Sequence, residues 1–442
     1  MRRTLNTALP SKVGQHATVQ GWVHRRRRLG AVSFLILRDR SGLAQVVLAD
    51  EDERAQLDGL TEETVVSVDG LVTANAKAPD GVELIHPRIT TMCAPATTPP
   101  VELWRPSLGA SLPTLLDHAP VLWRHRTQQA LWRLAAASVR GFRRVLDAQG
   151  FTEIQTPKLV ASSTESGANV FAVDYFGHPA YLAQSPQFYK QIMVGVFERV
   201  YETGPVFRAE SHDTVRHLAE YVSFDAELGF ITDHRDVLGV LRDAIAGMVS
   251  EIRASAGEEA ELVAARLPQV PEEIPIVHFR EALRLVGAHP EEPDLAPEHE
   301  RHLGQWAKEK FESDFVAVEG YPAKKRPFYT YPQPDDPYCT NSFDLIFRGL
   351  ELVTGGQRLH EYADYQHAVA QRAEPTQPYE SYLQTFRHGM PPHGGFAIGL
   401  ERWTARLVET NNIRRATLFP RDLHRLTPSG VPRSTPAHFG RS

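Results

Sequence analysis

The spacing of apolar residues changes early in the chain, and this change constrains the fold more than any other feature of the sequence. Before residue 95, apolar and β-branched residues occur in short, partly alternating runs, which is the pattern of strands with one buried face. After residue 125, they recur at helical spacing over a much longer segment. The sequence therefore predicts a small β-domain followed by a domain of a different class.

The β-domain is predicted from five short runs separated by turn sequences such as those at 39–42 and 78–81. So many strands in so few residues favour a small barrel, and the oligonucleotide-binding barrel is the common one of this size. A β-sandwich fits the same pattern. The predicted strands cover residues 17–23, 32–38, 44–48, 65–71 and 84–91.

The remainder of the chain is predicted to be a mixed α+β domain. Residues 94–113 are rich in proline and have the composition of a linker. A long helix is predicted over 127–148 and ends before Gly150, after which strand and helix patterns alternate irregularly. The predicted boundaries are 1–98 for the barrel, 99–124 for the hinge and 125–442 for the α+β domain.

Composition excludes several classes of protein. Hydrophobic residues make up 42% and charged residues 23%, as in ordinary globular proteins. No apolar run approaches the roughly 20 residues of a membrane helix, and residues 1–5 do not resemble a signal peptide. The two cysteines, Cys93 and Cys339, form neither a disulfide framework nor a zinc site. These observations predict a cytoplasmic protein that does not bind membranes.

Charge argues against a non-specific nucleic-acid binder, because the net charge is −6. A local basic patch can nevertheless attract a polyanion to a mildly acidic protein. Four consecutive arginines at 25–28 form such a patch, and Phe34 and Gln45 follow within the same β-domain. Recognition of single-stranded RNA needs cations for phosphates, an aromatic face for a base and an amide for base edges. The barrel therefore carries the residue types of an RNA-binding surface.

Four segments of the α+β domain carry candidate chemistry. Residues 150–157 follow the long helix and end in a proline, and residues 207–227 begin with Phe-Arg-Ala-Glu. Residues 343–358 contain two carboxylates and end in Gly-Gly-Gln-Arg, and residues 394–402 read Gly-Gly-Phe-Ala-Ile-Gly-Leu-Glu-Arg. The planar fork of an arginine such as Arg208 can bind phosphate oxygens in two places.

In this order, the four segments resemble the signature elements of class II aminoacyl-tRNA synthetases, and in detail the aspartyl branch in its archaeal-type form. The resemblance extends from about residue 13 to Pro428. It implies an antiparallel catalytic sheet flanked by helices, and a homodimer in which Pro157 lies near the partner's site. It also implies that the enzyme uses ATP and Mg²⁺ to activate L-aspartate and then transfers the aspartyl group to tRNA.

The resemblance assigns a role to each candidate residue at the nucleotide. Arg208, Arg402, Glu210 and His217 are the implied catalytic residues: Glu210 meets the adenine or the tRNA end, and His217 approaches the γ-phosphate. Tyr221 stacks on adenine. The full ATP-binding set is Arg208, Glu210, Arg216, His217, Leu218, Tyr221, Glu351, Gly399 and Arg402. Mg²⁺ prefers carboxylate oxygens together with substrate phosphates. The implied metal ligands are Glu351, Asp344 and Thr354.

The choice of amino acid is expected to follow charge. By resemblance, Lys190 and Arg358 bind the side-chain carboxylate of aspartate, while Gln187, Asp225 and Glu165 hold its α-ammonium group. Residues 162–171 resemble the family's loop that closes on the amino acid. Asparagine is nearly isosteric but leaves the two cations without a charge partner, and such a site can discriminate by about 10⁴-fold.

The same resemblance makes the barrel an anticodon-binding domain. Phe34 then stacks on the central uridine of the anticodon, and Arg27 and Gln45 hydrogen-bond to it. His24 and Pro79 resemble a pair found in bacterial enzymes that charge both tRNA-Asp and tRNA-Asn. This implies a non-discriminating enzyme that supplies a tRNA-dependent amidotransferase, which makes Asn-tRNA.

Three alternatives are compatible with parts of the sequence. An asparaginyl-tRNA synthetase is opposed by Lys190 and Arg358. A paralogue that makes asparagine without tRNA is disfavoured because such relatives typically lack the barrel. A catalytically inactive RNA-binding protein is disfavoured because Arg208 and Arg402 are both present.

Overall fold

The computed structural model of the protein describes residues 3–161, 169–211, 213–371 and 377–429. The chain forms two compact units, Met1–Arg126 and Thr127–Ser442. Within the described ranges, no helix combines the length and the apolar character that are needed to cross a membrane.

The first unit is a closed five-stranded barrel, which confirms the predicted fold and excludes the sandwich. Its strands are joined in the order β1-β2-β3-β5-β4 around a core of valine and leucine side chains from alternate strand positions. A short helix, α1 (Glu51–Ala55), lies between the third and fourth strands. The strands are β1 (His16–Leu29), β2 (Val32–Arg38), β3 (Leu43–Leu48), β4 (Val65–Ala74) and β5 (Val82–Thr91).

The first strand is longer than its apolar pattern predicted. The prediction ended at residue 23, but β1 continues through the arginines to Leu29 because these residues pair with β2. The pairing register shifts between Val23 and Arg25, so His24 lies at an irregularity in the strand. The arginine side chains give no apolar pattern from which a strand could be predicted, but their backbone forms hydrogen bonds with β2 and so extends the strand.

The second unit has a mixed sheet of eight strands and a separate sheet of three, with helices on the large sheet. The strands are β6 (Thr152–Glu153), β7 (Leu159–Val160), β8 (Ala172–Tyr175), β9 (His178–Leu182), β10 (Arg199–Phe207), β11 (Glu220–Gly229), β12 (Ile276–His278), β13 (Phe315–Glu319), β14 (Ser342–Phe347), β15 (Glu351–Arg358) and β16 (His393–Gly399). Two short helices, α2 (Leu112–Asp117) and α3 (Ala119–Leu122), still belong to the first unit. The helices that follow are α4 (Arg126–Ala148), α5 (Gln187–Phe197), α6 (His234–Ser255), α7 (Gly257–Leu262), α8 (Phe279–Val286), α9 (Pro297–Phe311), α10 (Tyr362–Gln371), α11 (Glu380–Leu383) and α12 (Leu400–Leu407).

The large sheet has the order β12-β13-β14-β15-β16-β11-β10-β6. All pairings from β13 to β10 are antiparallel, as predicted, whereas β12 and β6 pair in parallel with their neighbours at the two edges. Parallel pairing needs a long connection between the strands, and the intervening helices and loops supply it. The expectation of an antiparallel sheet therefore holds for the centre, where the candidate site residues lie.

Two long helices, α4 and α6, pack together against this sheet. Phe142 and Leu146 of α4 and Met248 of α6 lie in one buried core with Phe224 of β11. The helices approach closely at glycine: a β-carbon added at Gly141 would lie 2.5 Å from the carbonyl oxygen of Gly247. This packing supports the sheet directly behind the strands that carry the candidate site.

A buried carboxylate links the start of α6 to the end of β13. Glu319 accepts hydrogen bonds from His234 at 2.8 Å and from Arg235 at 2.7 Å. Burial alone would raise its pKa, but these two partners outweigh burial and lower the pKa from 4.5 to about 2. The carboxylate is therefore more stable in the folded protein than in the unfolded chain.

We expect Glu319→Gln to lower the free energy of unfolding by about 3 kcal/mol at neutral pH. Because the folded pKa lies below the unfolded one, this contribution is present above pH 4.5 and is lost as the pH falls towards 2. Urea unfolding of both proteins at neutral and acidic pH measures the difference. A difference that does not shrink in acid would contradict the assigned cause.

Candidate functional site

A cavity of about 170 Å³ lies where β11, β15, β16 and the start of α12 meet. Cationic, acidic and aromatic side chains line it, together with Ser223, Thr354 and Ala397. It contains every residue that the sequence analysis assigned to the nucleotide: Arg208, Glu210, Arg216, His217, Leu218, Tyr221, Glu351, Gly399 and Arg402. The structure thus brings together residues that are widely separated along the chain.

The β10–β11 pair positions the cation and the aromatic ring of this cavity. Phe207, the last residue of β10, pairs with Glu220 at the start of β11, and the Arg208 backbone N–H donates to the Ala219 carbonyl at 2.9 Å. The Arg208 guanidinium carbon lies 5.7 Å from the centre of the Tyr221 ring. A cation suited to phosphate oxygens therefore lies beside a ring that can stack on a base.

The segment between these strands contributes a histidine, His217, and a second arginine, Arg216, to the cavity. His217 Nδ1 lies 2.6 Å from Thr214 Oγ1, and its Nε2 lies 3.8 Å from a carboxylate oxygen of Glu210. Arg216 donates to the buried carboxylate of Glu300 in α9 at 2.8 Å. Glu300 also accepts from the backbone N–H of Glu351 at 2.8 Å. This carboxylate thus ties Arg216 to the start of β15.

Glu351 and Arg402 occupy the other side of the cavity. Arg402 Nη1 donates to the Glu351 carbonyl at 2.9 Å and lies 3.7 Å from its carboxylate. Partial burial, and then the nearby Asp344, raise the pKa of Glu351 above its usual range. Asp344 itself is buried, and both of its oxygens bind Arg326, at 3.0 and 2.9 Å. A carboxylate crowded by other acids is one that a cation would stabilise.

Oxygen groups suited to a hard cation are present, but they do not form a complete coordination shell. The described residues contain no group of three or more histidine, cysteine or acidic side chains placed to hold a metal by themselves. Glu351 and Thr354 both line the cavity, and Asp344 pairs with Thr354 across β14 and β15. Mg²⁺ is usually held by one or two carboxylates plus substrate phosphates, so this set fits Mg²⁺ only together with a nucleotide.

The glycines of segment 394–402 divide into two groups. Gly394 and Gly395 allow β16 to lie against its neighbours: an added β-carbon at Gly394 would lie 2.6 Å from the Gly356 carbonyl, and one at Gly395 would contact Glu227. Gly399 instead faces the cavity, where an added β-carbon would lie 3.8 Å from the Tyr221 ring. Only the last glycine is therefore placed to let a nucleotide approach the backbone.

A buried cluster of charges adjoins this cavity, which we call the nucleotide cavity after the residues predicted to bind a nucleotide there. Lys190 of α5 is 1% exposed, and its Nζ lies 3.0 Å from Asp225 and 3.2 Å from Glu227, both on β11. Arg358 at the end of β15 donates to the other oxygen of Glu227 at 2.9 Å. Ser223 lines the nucleotide cavity and donates to Asp225 at 2.6 Å, which connects the two sites.

Glu227 holds the two cations in place. Burial would raise the pKa of Glu227, but Arg358 and Lys190 outweigh burial and hold the pKa below its usual range. The carboxylate is therefore ionised between the two cations. The sequence analysis missed this residue, although it lies two positions after Asp225 on the same strand and hence on the same face.

The remaining residues assigned to the amino acid lie beside this cluster. Gln187 precedes Lys190 by nearly one turn of α5 and donates to Gln191 at 3.0 Å. Gln191 in turn bonds to the hydroxyls of Tyr365 and Tyr382 at 3.0 and 2.9 Å, so the helix is firmly positioned. The predicted ligand Glu165, with most of segment 162–171, lies outside the described residues.

Glu300 is a second residue that sequence reasoning missed. It lies in the acidic segment 255–310, where no motif indicated chemistry. Its position beside Arg216 and Glu351 depends on how α9 packs on the sheet, and no local signal distinguishes it from its acidic neighbours.

The barrel presents the predicted RNA-binding residues on one face. Arg27 pairs with Phe34 across β1 and β2. Ile36, two residues after Phe34, pairs with Gln45 of β3, so all four side chains point to the same side of the sheet. Gln45 Nε2 donates to Glu83 at 2.8 Å. A cation, an aromatic ring and an amide thus lie within a few residues of one another.

The other two predicted barrel residues are Pro79 and His24. Pro79 begins a short 3₁₀ helix, Pro79–Gly81, between β4 and β5. His24 is half-buried, and burial together with Arg38 lowers its pKa to about 4, so the ring is neutral. Its buried Nδ1 has no hydrogen-bond partner among the described residues. His24 is therefore uncharged, and its Nδ1 atom forms no hydrogen bond with a described residue.

A nucleotide cavity on an antiparallel sheet, combined with a barrel that presents RNA-binding side chains, defines a tRNA synthetase of class II. Comparison with known families agrees. The family "tRNA synthetases class II (D, K and N)" matches residues 112–423, and the "OB-fold nucleic acid binding domain" matches residues 17–92. The chain belongs to the D, K and N family of class II tRNA synthetases and is an aminoacyl-tRNA ligase.

Known relatives match almost the whole chain. It is 47% identical to an aspartate–tRNA(Asp/Asn) ligase of Thermus thermophilus, over 96% of this chain and 100% of that protein. It is 45% identical to the ligase of the same name from Deinococcus radiodurans, over 97% and 99%. Among solved structures, asparaginyl-tRNA synthetase from Pyrococcus horikoshii with asparaginyl-adenylate superposes with a TM-score of 0.87 at 30% identity, covering 95% of this chain and 98% of that one.

Proposed function

We propose that the protein activates L-aspartate with ATP and transfers the aspartyl group to both tRNA-Asp and tRNA-Asn. The observation that carries this proposal is the buried pair of cations, Lys190 and Arg358, beside the nucleotide cavity. Relatives named for aspartate and for both tRNAs support it, at 47% and 45% identity.

Charge complementarity would select the amino acid. Lys190 and Arg358 converge on Glu227 from opposite oxygens, so both cations are held in fixed positions that a second carboxylate can approach. Asparagine would bring an amide with donor hydrogens towards these cations. The resulting unpaired polar groups would disfavour asparagine by about 10⁴-fold without any editing step. Gln187, Asp225 and Glu165 would hold the α-ammonium group.

Activation of aspartate would then depend on how these residues position the amino acid and ATP. The aspartate α-carboxylate oxygen attacks the α-phosphorus of ATP, a new phosphorus–oxygen bond forms, and the bond to pyrophosphate breaks. Arg208 and Arg402 stabilise the charge that develops on the phosphates, while Tyr221 holds the adenine. Glu351 and Thr354, backed by Asp344, would hold Mg²⁺, which when bound supplies further neutralisation of phosphate charge.

Transfer to tRNA completes the reaction. A hydroxyl oxygen of the terminal adenosine bonds to the aspartyl carbonyl carbon and loses its proton, and AMP leaves with the electrons of the broken mixed-anhydride bond. Phe34, Arg27 and Gln45 would bind the central uridine, which the aspartate and asparagine anticodons share. His24 and Pro79 would tolerate both bases at the neighbouring position. Asp-tRNA-Asn would then pass to a tRNA-dependent amidotransferase, and the enzyme would act as a homodimer in the cytoplasm.

Aminoacylation of purified tRNA-Asp and tRNA-Asn transcripts, with labelled aspartate and labelled asparagine in parallel, tests the proposal. We expect aspartate on both tRNAs and asparagine on neither. Aspartate on tRNA-Asp alone would refute the dual specificity and leave His24 and Pro79 with a structural role. Charging with asparagine would overturn the role of Lys190.

We expect Phe34→Ala to weaken tRNA charging without affecting the first half-reaction. Loss of one base–aromatic stack removes about 1–3 kcal/mol, so kcat/KM for tRNA should fall by about 5- to 100-fold. ATP–pyrophosphate exchange without tRNA should stay unchanged because the second unit contains the activation site. Met92→Ala, which removes an exposed apolar side chain of the first unit, is the control. Equal charging by both variants would contradict the role of Phe34.

A further inference from the structure

A second cavity, of about 280 Å³, adjoins the nucleotide cavity and is rich in arginine. It shares Arg216, Arg402 and Ile413 with the nucleotide cavity, so the two lie side by side. Three further arginines, Arg301, Arg348 and Arg406, line it, and none of them was singled out by the sequence. We call it the arginine cavity.

Different elements of the second unit supply these arginines. Arg402 and Arg406 are one turn apart on α12 and thus share a face of the helix. Arg348 lies in the turn between β14 and β15 at a φ of 49°, a left-handed conformation that is unfavourable for a residue with a side chain. Arg301 lies on α9, and an added β-carbon at Gly349 would lie 2.9 Å from its Cα.

Carboxylates balance only part of this charge. Arg348 pairs with Asp314 at 2.8 Å, Arg216 with Glu300 at 2.8 Å, and Arg402 lies 3.7 Å from Glu351. Within the described part of the chain, Arg301 and Arg406 form no ion pair.

The guanidinium groups also have unused hydrogen-bonding capacity. Among the described residues, the Nε atoms of Arg348 and Arg406 are buried without a hydrogen-bond partner. Arg406 donates to the carbonyl of Arg348, so the two side chains are close. A buried donor without an acceptor is unfavourable, and an anion with several oxygens would satisfy more than one of them.

We infer that the arginine cavity is a binding site for inorganic pyrophosphate, distinct from the subsite that holds the phosphates of ATP. This inference rests on the proposed function, because activation of aspartate releases pyrophosphate beside Arg216 and Arg402. These two residues line both cavities, so pyrophosphate can move into the arginine cavity without leaving cationic surroundings. Guanidinium groups bind phosphate oxygens in two places at once, so several of them together can hold a multivalent phosphate.

Calorimetric titration of pyrophosphate into the full-length protein saturated with α,β-methylene-ATP tests this assignment. The analogue fills the nucleotide site, so the titration reports binding elsewhere. We expect one pyrophosphate to bind per chain, and Arg301→Gln to weaken it by about tenfold, the scale for a lost hydrogen bond to a charged group. Arg301 is exposed and lies outside the proposed catalytic set, so the variant should fold. Arg284→Gln, an exposed arginine of α8, is the control.

Three outcomes would overturn the inference: no binding to the loaded protein, equal affinities of Arg301→Gln and Arg284→Gln, or binding of inorganic phosphate as tight as that of pyrophosphate. Aspartate-dependent ATP–pyrophosphate exchange, measured on the same preparations, tests the proposed function separately. A protein that fails that exchange but binds pyrophosphate beside the analogue would refute the proposed function and retain the second site.

Discussion

Lys190→Leu should reduce kcat/KM for aspartate by about 10²- to 10⁴-fold while leaving the affinity for ATP nearly unchanged. The lysine is buried and forms ion pairs with Asp225 and Glu227, so its loss removes a cation and leaves two carboxylates facing the aspartate site. Removing one partner of a buried ion pair typically costs about 3–5 kcal/mol, which corresponds to this change in rate. ATP–pyrophosphate exchange, measured while the concentrations of aspartate and ATP are varied in turn, separates the effect on aspartate from the effect on ATP.

A lower stability of Lys190→Leu must be separated from the loss of aspartate recognition. Arg235→Leu removes one of the two partners of another buried carboxylate, Glu319, and lies outside both cavities. It should lower the melting temperature while retaining aspartate activation. Parallel losses of aspartate and ATP affinity in Lys190→Leu would indicate a structural defect and contradict the role of this lysine.

Arg208→Ala should reduce the rate of ATP–pyrophosphate exchange by at least about 10²-fold, the scale for losing one donor to a developing oxyanion. In contrast to Lys190→Leu, the loss should appear mainly in kcat, because the charge at the α-phosphate increases in the transition state. Arg208→Lys keeps the charge but not the planar fork, so it should recover only part of the activity. Stopped-flow measurement of adenylate formation gives the rate directly.

The neighbouring Tyr221 ring provides a test of folding for the Arg208 variants. Arg208 lies over this ring, and Tyr221 should still bind adenine when the arginine is replaced. Fluorescent ATP analogues should therefore bind to Arg208→Ala with nearly normal affinity. Normal exchange in a folded variant that binds nucleotide would show that another group stabilises the α-phosphate.

Local sequence patterns were sufficient for the barrel, and they indicated residues that line one cavity. The barrel strands show alternating burial, and their ends coincide with turn sequences. The nucleotide residues follow short motifs at the ends of β10, β11 and β16, and neighbouring antiparallel strands bring such ends together. Strand pairing thus brings residues from several short motifs together in one cavity.

Charge clusters were less predictable, because their members are distant in the sequence. Lys190 was predicted to bind a carboxylate of the substrate, and the structure also gives it carboxylate partners within the chain, including Glu227. Asp344 was predicted from its motif, but its bidentate partner Arg326 lies in a loop that has no pattern. The parallel edges of the sheet and the extension of β1 were likewise decided by hydrogen bonding between strands.

By itself, the sequence determined the two folds, the family and a set of residues that line one cavity, because motif residues and apolar periodicity act over short distances along the chain. Only the tertiary structure decided which charged side chains lie next to one another. Glu300 lies beside Arg216, and the arginine cavity combines α9, α12 and the β14–β15 turn. Electrostatic interactions depend on distance and burial in space, and neither quantity can be read from residues that lie far apart in the sequence.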